Sequence, residues 1–291
     1  MNSIPRRIAV KLGILREKQY SKDLRFDING ILLKVKRSDE GGLDYRNRSH
    51  FENVVDLFWA MLAKEFSPKL IIDIGANYGF TGALFSKHFP LSKIIAIEPN
   101  PGLRPYIEEN FNQNGVKNAT IITSFVNETD KLEDTFHINL GDSQDSRVSL
   151  PNDISHEIIK ISSISLNSIL RDNPTNGNIF IKVDTQGFEP QVVRGGLEQL
   201  KSMNNWMMRI EFAPSWLQSQ GNDPISFLKF LINEFNIYEA VSRTTFNSKG
   251  LEEIINPAKI LKIEQVDEFI NHITSLNKSG TGWCDLLILP K

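Results

Sequence analysis

The stretch Leu70-Ile-Ile-Asp-Ile-Gly-Ala-Asn-Tyr-Gly-Phe-Thr-Gly82 decides the fold of this chain. Its first five residues read as a buried strand, the glycines after Ile74 as a turn, and the residues from Phe80 as the start of a helix. In an open α/β sheet a ligand lies just outside the carboxyl ends of the strands, where backbone amides and glycines allow close approach. The next apolar run, Ile94-Ile-Ala-Ile97, ends in Glu98, which sets a carboxylate where a ribose diol would lie. Together the two segments predict a nucleoside-bearing ligand.

Glycine spacing narrows the choice of ligand. A dinucleotide fold needs G-x-G-x-x-G, whose second glycine lets the backbone touch a pyrophosphate. Here the glycines are Gly75, Gly79 and Gly82, and Ala76 and Asn77 follow the first. Asp73 adds a negative charge beside the turn, which repels phosphates and suits the amino group and sulfonium of S-adenosylmethionine.

Alternation of strands and helices continues outward from this point, which predicts a seven-stranded, mostly parallel sheet with helices on both faces. Strands are expected at 70–74, 94–98, 119–126, 178–184, 206–212, 237–241 and 283–289. A helix carrying Leu103, Tyr106, Ile107 and Phe111 on one face stops near Gly115. Others run from about Pro190 to Leu200, from Asp223-Pro224 with Ile225, Leu228, Phe230 and Leu231 inward, and over 264–276. Residues 127–176 carry short β-like pieces and polar turns and read as an insertion, of the kind that shapes a substrate site. On the amino-terminal side, Leu24, Phe26, Ile28, Ile31, Leu33 and Val35 alternate around Asn29-Gly30, a hairpin signal. Phe51, Val54, Val55, Phe58, Trp59 and Leu62 mark a helix face. The expected division is an extension over 1–66 and a main domain over 67–291.

Composition sets the outer limits. The 291 residues, 40% of them hydrophobic, suffice for one substantial core. Lys plus Arg number 33 against 35 Asp plus Glu, a net charge of −2 that leaves no electrostatic footprint for nucleic acid. Cys284 is the only cysteine, so no intrachain disulfide or multi-cysteine metal site is expected, and a reducing, cytoplasmic setting fits. The start of the chain carries Arg6, Arg7, Lys11, Arg16, Lys18 and Lys22 without a run long enough for a signal peptide or membrane span. None of the five histidines, His50 included, shows ligand spacing, and no metal is expected.

A second signature, Ile-Lys-Val-Asp-Thr-Gln-Gly-Phe-Glu-Pro-Gln-Val-Val-Arg-Gly-Gly, occupies 181–196. With Asp73-x-Gly-Ala-Asn-x-Gly79 and Glu98-Pro99-Asn100 it resembles the FkbM family of S-adenosylmethionine-dependent methyltransferases over roughly residues 50–290. Several separate motifs occur in order on successive strands, which no single motif could establish. The resemblance implies a class I, Rossmann-like methyltransferase fold and a hydroxyl acceptor on a sugar, a glycan or glycolipid, or a polyketide-type molecule. One departure stands out: many members carry glutamate at the position of Gln186, which bears on substrate or metal handling and leaves the donor motif intact.

The candidate donor-binding residues are Asp73, Gly75, Ala76, Asn77, Gly79 and Thr81 in the first motif and Glu98, Pro99 and Asn100 in the second. A sulfonium methyl is already activated, so the chain has mainly to position the acceptor. A hydroxyl must also lose its proton, and Asp184, then Glu211, are the candidate bases at strand ends. Arg147, Gln186 and Glu189 are candidate substrate contacts. Plainer roles compete at several positions: turn capping by Asp73 and Asp184, a solvated strand end at Glu98, helix-dipole stabilisation by Glu189 and a surface salt bridge at Arg147. Competing functions are a non-catalytic nucleoside-binding module and a nicotinamide-dependent dehydrogenase. Self-association is compatible with everything in the sequence.

Overall fold

The computed structural model describes residues 23–47, 59, 66–148, 156–241 and 260–291. The basic start of the chain, most of the 51–62 helix face, His50, and residues 149–155 and 242–259 lie outside the described residues.

Strands β1 (Leu24–Ile28) and β2 (Ile31–Val35) form the expected hairpin. Asn29 and Gly30 have φ of 55° and 75°, the double left-handed turn that matches strand twist. Buried Asn110 ties this hairpin to the main body. Its side chain accepts from the Lys34 amide at 2.7 Å and donates to the carbonyls of Lys34 at 3.0 Å and Tyr78 at 2.8 Å.

The main body follows with β3 (Leu70–Ile74), β4 (Lys93–Ile97) and β5 (Ala119–Ile122). A smaller unit holds β6 (Phe125–Asn127), β7 (Lys131–Asn139) and β8 (His156–Ser165). The chain then returns with β9 (Ile179–Val183), β10 (Trp206–Phe212), β11 (Asn236–Val241) and β12 (Cys284–Leu289). Seven strands make one sheet in the order β11-β12-β10-β9-β3-β4-β5, with β12 antiparallel to both neighbours. Neighbours from β10 through to β5 are parallel. The chain leaves β3 through β4 and β5 on one side and resumes at β9 on the other, so a crevice opens at the carboxyl ends of β3 and β9.

Helices cover both faces. Phe80–His88 and Arg104–Gln113 pack on one, against Ile71, Ile94, Ala96, Phe180, Met207 and Leu287. Leu166–Asp172, Glu189–Arg194, Leu197–Ser202, Pro214–Ser219, Pro224–Glu234 and Val266–Ser275 pack on the other, against Ile72, Ile181, Met208, Ile210 and Leu286. Because strand side chains alternate, Asp73, Lys182, Arg209, Glu211 and Asp285 all share the first face. No helix among the described residues is long and apolar enough to cross a membrane.

Several expectations need correction. The run 119–126 is two strands in different sheets: after Ile122 the chain breaks at Thr123-Ser124, and Phe125–Asn127 pairs with β8. The 190–200 helix is two short ones, divided where Gly195 and Gly196 pass too close to Asn127 and Leu166 for a side chain. Residues 125–148 and 156–172 hold a three-stranded sheet and a helix, capped where the Ser165 hydroxyl accepts from the Ser168 amide. In Pro224–Glu234, Leu228 and Leu231 face inward as expected, Phe227 joins them, and Ile225 is exposed. Helix Pro214–Ser219 has no counterpart in the sequence pattern.

Candidate active site

A cavity of about 390 Å³ opens at the crevice. Its floor is the turn after β3. The amides of Gly75 and Ala76 both donate to the Ile97 carbonyl at 3.0 Å, which hooks the turn onto the end of β4. Gly75 has φ of +78°, and an added Cβ would stand 1.9 Å from the Asp184 carbonyl oxygen, so β3 and β9 meet there as bare backbone. Gly79 and Gly82 serve packing instead: a Cβ at either would press on Phe111 at 2.9 and 2.8 Å. The sequence reading assigns Gly75 and Gly79 to the ligand; in the structure Gly79, like Gly82, lets helices Phe80–His88 and Arg104–Gln113 approach.

Glu98 closes one end of the floor. Its two oxygens accept from the amides of Asn77 and Asn100, both at 2.9 Å. Burial pushes this carboxyl up to about 7, against the pull of those amides. Each oxygen keeps a second acceptor site, so Glu98 can hold the two loops and still receive a diol.

The opposite end is charged. Lys182, buried, donates to the Gly75 carbonyl at 2.8 Å and lies 3.3 Å from Asp73 Oδ1 and 3.4 Å from Asp184 Oδ2. Burial works against its charge, but Asp184 and Asp73 outweigh burial and hold the ammonium above its ordinary range. For Asp184 burial acts upward, and Lys182 and Arg209 overcome it to keep the carboxyl below its ordinary range. The Gln186 amide donates to Asp184 Oδ1 at 3.2 Å from a residue with φ of 58°. Glu211 is the contrasting group: burial, then Asp184, Glu189 and Asp285, raise it well above the usual carboxylate range. Its Oε2 is buried and has no hydrogen-bond partner among the described residues. Arg209 pairs with Asp285 Oδ2 at 3.1 Å and lies over the Trp59 ring at 5.5 Å, and Trp59 Nε1 donates to the same oxygen at 2.8 Å.

The walls come from both flanking segments. Asp44 and Tyr45 reach in from helix Glu40–Asn47, Ser143 and Gln144 from the insertion. These segments are tied to one another and to the floor: Glu40 donates its amide to the Gly141 carbonyl at 2.7 Å, Gln144 Nε2 donates to the Gly41 carbonyl at 3.0 Å, and Asn77 Nδ2 donates to Ser143 Oγ at 3.1 Å. Phe125, Phe136 and Phe188 give an apolar side, Trp216 and Trp283 an aromatic one.

Of the residues singled out from the sequence, Gly75, Asn77, Thr81, Glu98, Pro99, Asp184, Gln186 and Glu211 line the cavity. Asp73, Ala76, Gly79, Asn100, Arg147 and Glu189 lie outside its lining. Asp73 is fully buried beneath the turn and faces Lys182, so its charge is spent within the protein. Glu189 Oε1 accepts from the amides of Thr185 and Gly187 and from the Thr185 hydroxyl, which folds the 184–188 turn. Arg147 pairs with Asp145 and donates to Ser219 Oγ at 3.2 Å, joining the insertion to helix Pro214–Ser219. Lys182, Arg209, Tyr45 and Asp285 were not assigned roles from sequence. A signal existed for three of them: a charge inside an otherwise apolar strand, as in Ile-Lys-Val, Met-Arg-Ile and Cys-Asp-Leu, demands a partner. Among the described residues, no group of three or more His, Cys, Asp or Glu side chains is placed to hold a metal.

Comparison with known proteins adds the lineage. No curated protein matches the chain. Among solved structures, the methyltransferase FkbM from Methylobacillus flagellatus is 13% identical with a TM-score of 0.40, over 76% of this chain and 44% of that one. This chain therefore spans less than half of that relative. The O-methyltransferase TomG from Streptomyces achromogenes, solved with S-adenosylmethionine, is 9% identical with a TM-score of 0.42, over 98% and 96%. The Podospora anserina methyltransferase PaMTH1, bound to S-adenosylhomocysteine, is 14% identical with a TM-score of 0.37, over 72% and 71%. At these values the likenesses carry no argument about substrate. The family model described as the methyltransferase FkbM domain matches residues 73–263, more than half of the chain and all of the cavity floor. On that match, the chain belongs to the FkbM methyltransferase family.

Proposed function

We propose that this chain binds S-adenosylmethionine on the floor between Gly75 and Glu98 and methylates a hydroxyl oxygen of a sugar, glycan, glycolipid or polyketide-type molecule. The observation that carries the reading is the pairing of two unlike carboxyls at one end of the cavity with a glycine turn and a buried glutamate at the other. The cavity falls in the size range of small-molecule sites. Its floor offers the acceptor Glu98 and no closely spaced second glycine for a pyrophosphate.

S-adenosylmethionine, when bound, supplies a methyl group already activated on a sulfonium. The chain's own task is positioning and one proton. Asp184, ionised and gripped on both oxygens, accepts a hydrogen bond from the acceptor hydroxyl and takes its proton as the new carbon–oxygen bond forms. A hydroxyl oxygen that is gaining a methyl group becomes strongly acidic, so a weak, fixed base suffices. The same anion stabilises positive charge developing on that oxygen. Burial and the neighbouring carboxylates favour the protonated form of Glu211, and its carboxyl, which lines the cavity, hydrogen-bonds a second hydroxyl and so orients a polyhydroxylated acceptor. Tyr45, Trp216 and Trp283 line the cavity and offer aromatic surface to the acceptor.

In this reading the main domain spans 67–291, with 127–176 as an insertion and 1–66 as an extension that closes the cavity through Asp44 and Tyr45. A single, buried thiol at Cys284 suits a reducing, cytoplasmic compartment. The test is transfer of a labelled methyl group from S-adenosylmethionine to panels of sugar and polyketide alcohols, with the modified atom located by mass spectrometry. Product carrying the label on oxygen supports the reading. Label on nitrogen or carbon, or turnover of a nicotinamide cofactor, overturns it.

A further inference from the structure

Lys182 is the cation at the meeting point of the two halves of the cavity. It projects from the middle of an apolar strand, Ile-Phe-Ile-Lys-Val, and is 5% exposed. Its ammonium donates to the Gly75 carbonyl at 2.8 Å and forms ion pairs with two carboxylates, through Asp73 Oδ1 at 3.3 Å and Asp184 Oδ2 at 3.4 Å. Gly75 belongs to the floor that faces the donor, and Asp184 to the wall that faces the acceptor. Asp73 accepts no hydrogen bond from any described residue, so Lys182 is what balances its charge.

We propose that Lys182 is a positioning residue that locks the donor turn and Asp184 into one rigid unit, setting the distance between methyl donor and proton acceptor. The inference rests on the proposed function only in taking Asp184 to face the acceptor. Two consequences follow. With Lys182 in place, the Gly75 carbonyl cannot turn toward the cavity, and Asp184 keeps both its orientation and its negative charge. Other charged groups act on Asp184 from the neighbouring strand β10: Arg209 favours its charge, while Glu211 and, from β12, Asp285 oppose it. Their balance makes Lys182 the larger of the two stabilising charges.

Replacing Lys182 alone would strand two buried carboxylates and endanger folding. The informative variant therefore pairs Lys182→Met with Asp73→Asn, which leaves the net charge of the trio at minus one. Two measurements on the protein without turnover decide the matter. The first is the ¹³C resonance of the Asp184 carboxyl in aspartate-labelled protein, assigned with Asp184→Asn. An opposite charge at this range lowers a carboxyl by about 1–3 pH units, so the loss of Lys182, offset in part by the loss of the Asp73 charge, should leave the double variant titrating measurably above wild type. The second is affinity for S-adenosylhomocysteine by calorimetry, expected to fall about tenfold or more as the turn is released. A folded double variant whose Asp184 midpoint is unmoved, or whose affinity is unchanged, overturns the proposal. Absence of methyl transfer to every hydroxyl acceptor would overturn the proposed function instead and leave the titration result standing.

Discussion

Gly75→Ala should be among the most damaging single-methyl additions in this protein, and its cost can be worked from the geometry. The residue has φ of +78°, a conformation that costs an alanine roughly 1–2 kcal/mol. The new Cβ would also lie 1.9 Å from a backbone oxygen, where real contacts do not fall below 3.0 Å, so Asp184 must retreat by more than an ångström. That displacement breaks the Asp184 amide bond to the Ile74 carbonyl at 3.2 Å and the Lys182 bond to the Gly75 carbonyl at 2.8 Å. Leaving such buried groups unpaired costs about 1–3 kcal/mol each, which puts the total on the order of 4 kcal/mol or more. Gly221→Ala is the matched control, since Gly221 has φ of +76° and nothing within 4 Å of an added Cβ. Urea denaturation of both variants separates strain from close approach. If Gly75→Ala costs no more than about 0.5 kcal/mol beyond Gly221→Ala, the reading of this turn is wrong.

Further outcomes follow from the same geometry. Glu98→Ala removes the acceptor of two loop amides and the candidate ribose contact, so affinity for S-adenosylhomocysteine should fall at least about tenfold by calorimetry; an unchanged affinity would remove Glu98 from the donor site. Asp184→Asn should lower kcat by about 10²–10⁴ with donor affinity nearly unchanged, and an equal loss in both would reassign it to donor binding. Glu211→Gln should act chiefly on KM for the acceptor, and a change confined to kcat would contradict the orienting role. Glu189 has a folded-state carboxyl raised from 4.5 to about 7 by burial, so it favours the fold in its protonated form. Its contribution is complete below about pH 4.5 and is lost as pH rises through 7, on the order of 3 kcal/mol. Glutamine can keep the acceptor at Oε1, so Glu189→Gln should flatten the decline in stability between about pH 5 and 7, measured by denaturation at stepped pH. A decline as steep as in wild type would count against burial as its cause.

Much of the architecture was legible because the relevant signals are local. Five consecutive buried residues in Leu70–Ile74 and in Ile179–Val183 can only be central strands, and Asn29-Gly30 encodes its turn through two left-handed residues. What escaped the sequence depends on distant partners. Ser124 ends β5 because its hydroxyl donates to the Ser162 carbonyl, 38 residues away, which a scan of 119–126 cannot register. Helix Pro214–Ser219 is short and is placed by Leu217 in the core. Within the candidate site, Glu98, Asp184 and Glu211 were legible as cavity-lining residues because strand ends border the crevice of such a sheet. Asp73, Ala76 and Gly79 share the turn's sequence with Gly75 and Asn77, yet only contacts across β9 and Phe111 reveal which of them face the cavity. Asp285 was overlooked because its partners, Trp59 and Arg209, are 226 and 76 positions away in sequence.

The central claim is that the cavity floor is a site for an adenosyl-sulfur ligand. Thermal unfolding of the protein with S-adenosylmethionine, S-adenosylhomocysteine or NAD tests it most directly, since a ligand at a hundred times its Kd adds about 2.7 kcal/mol to the native state. A raised Tm with both adenosyl-sulfur ligands, lost in Glu98→Ala, is the expected result. A rise with NAD alone, or none at saturating S-adenosylhomocysteine, would contradict the account.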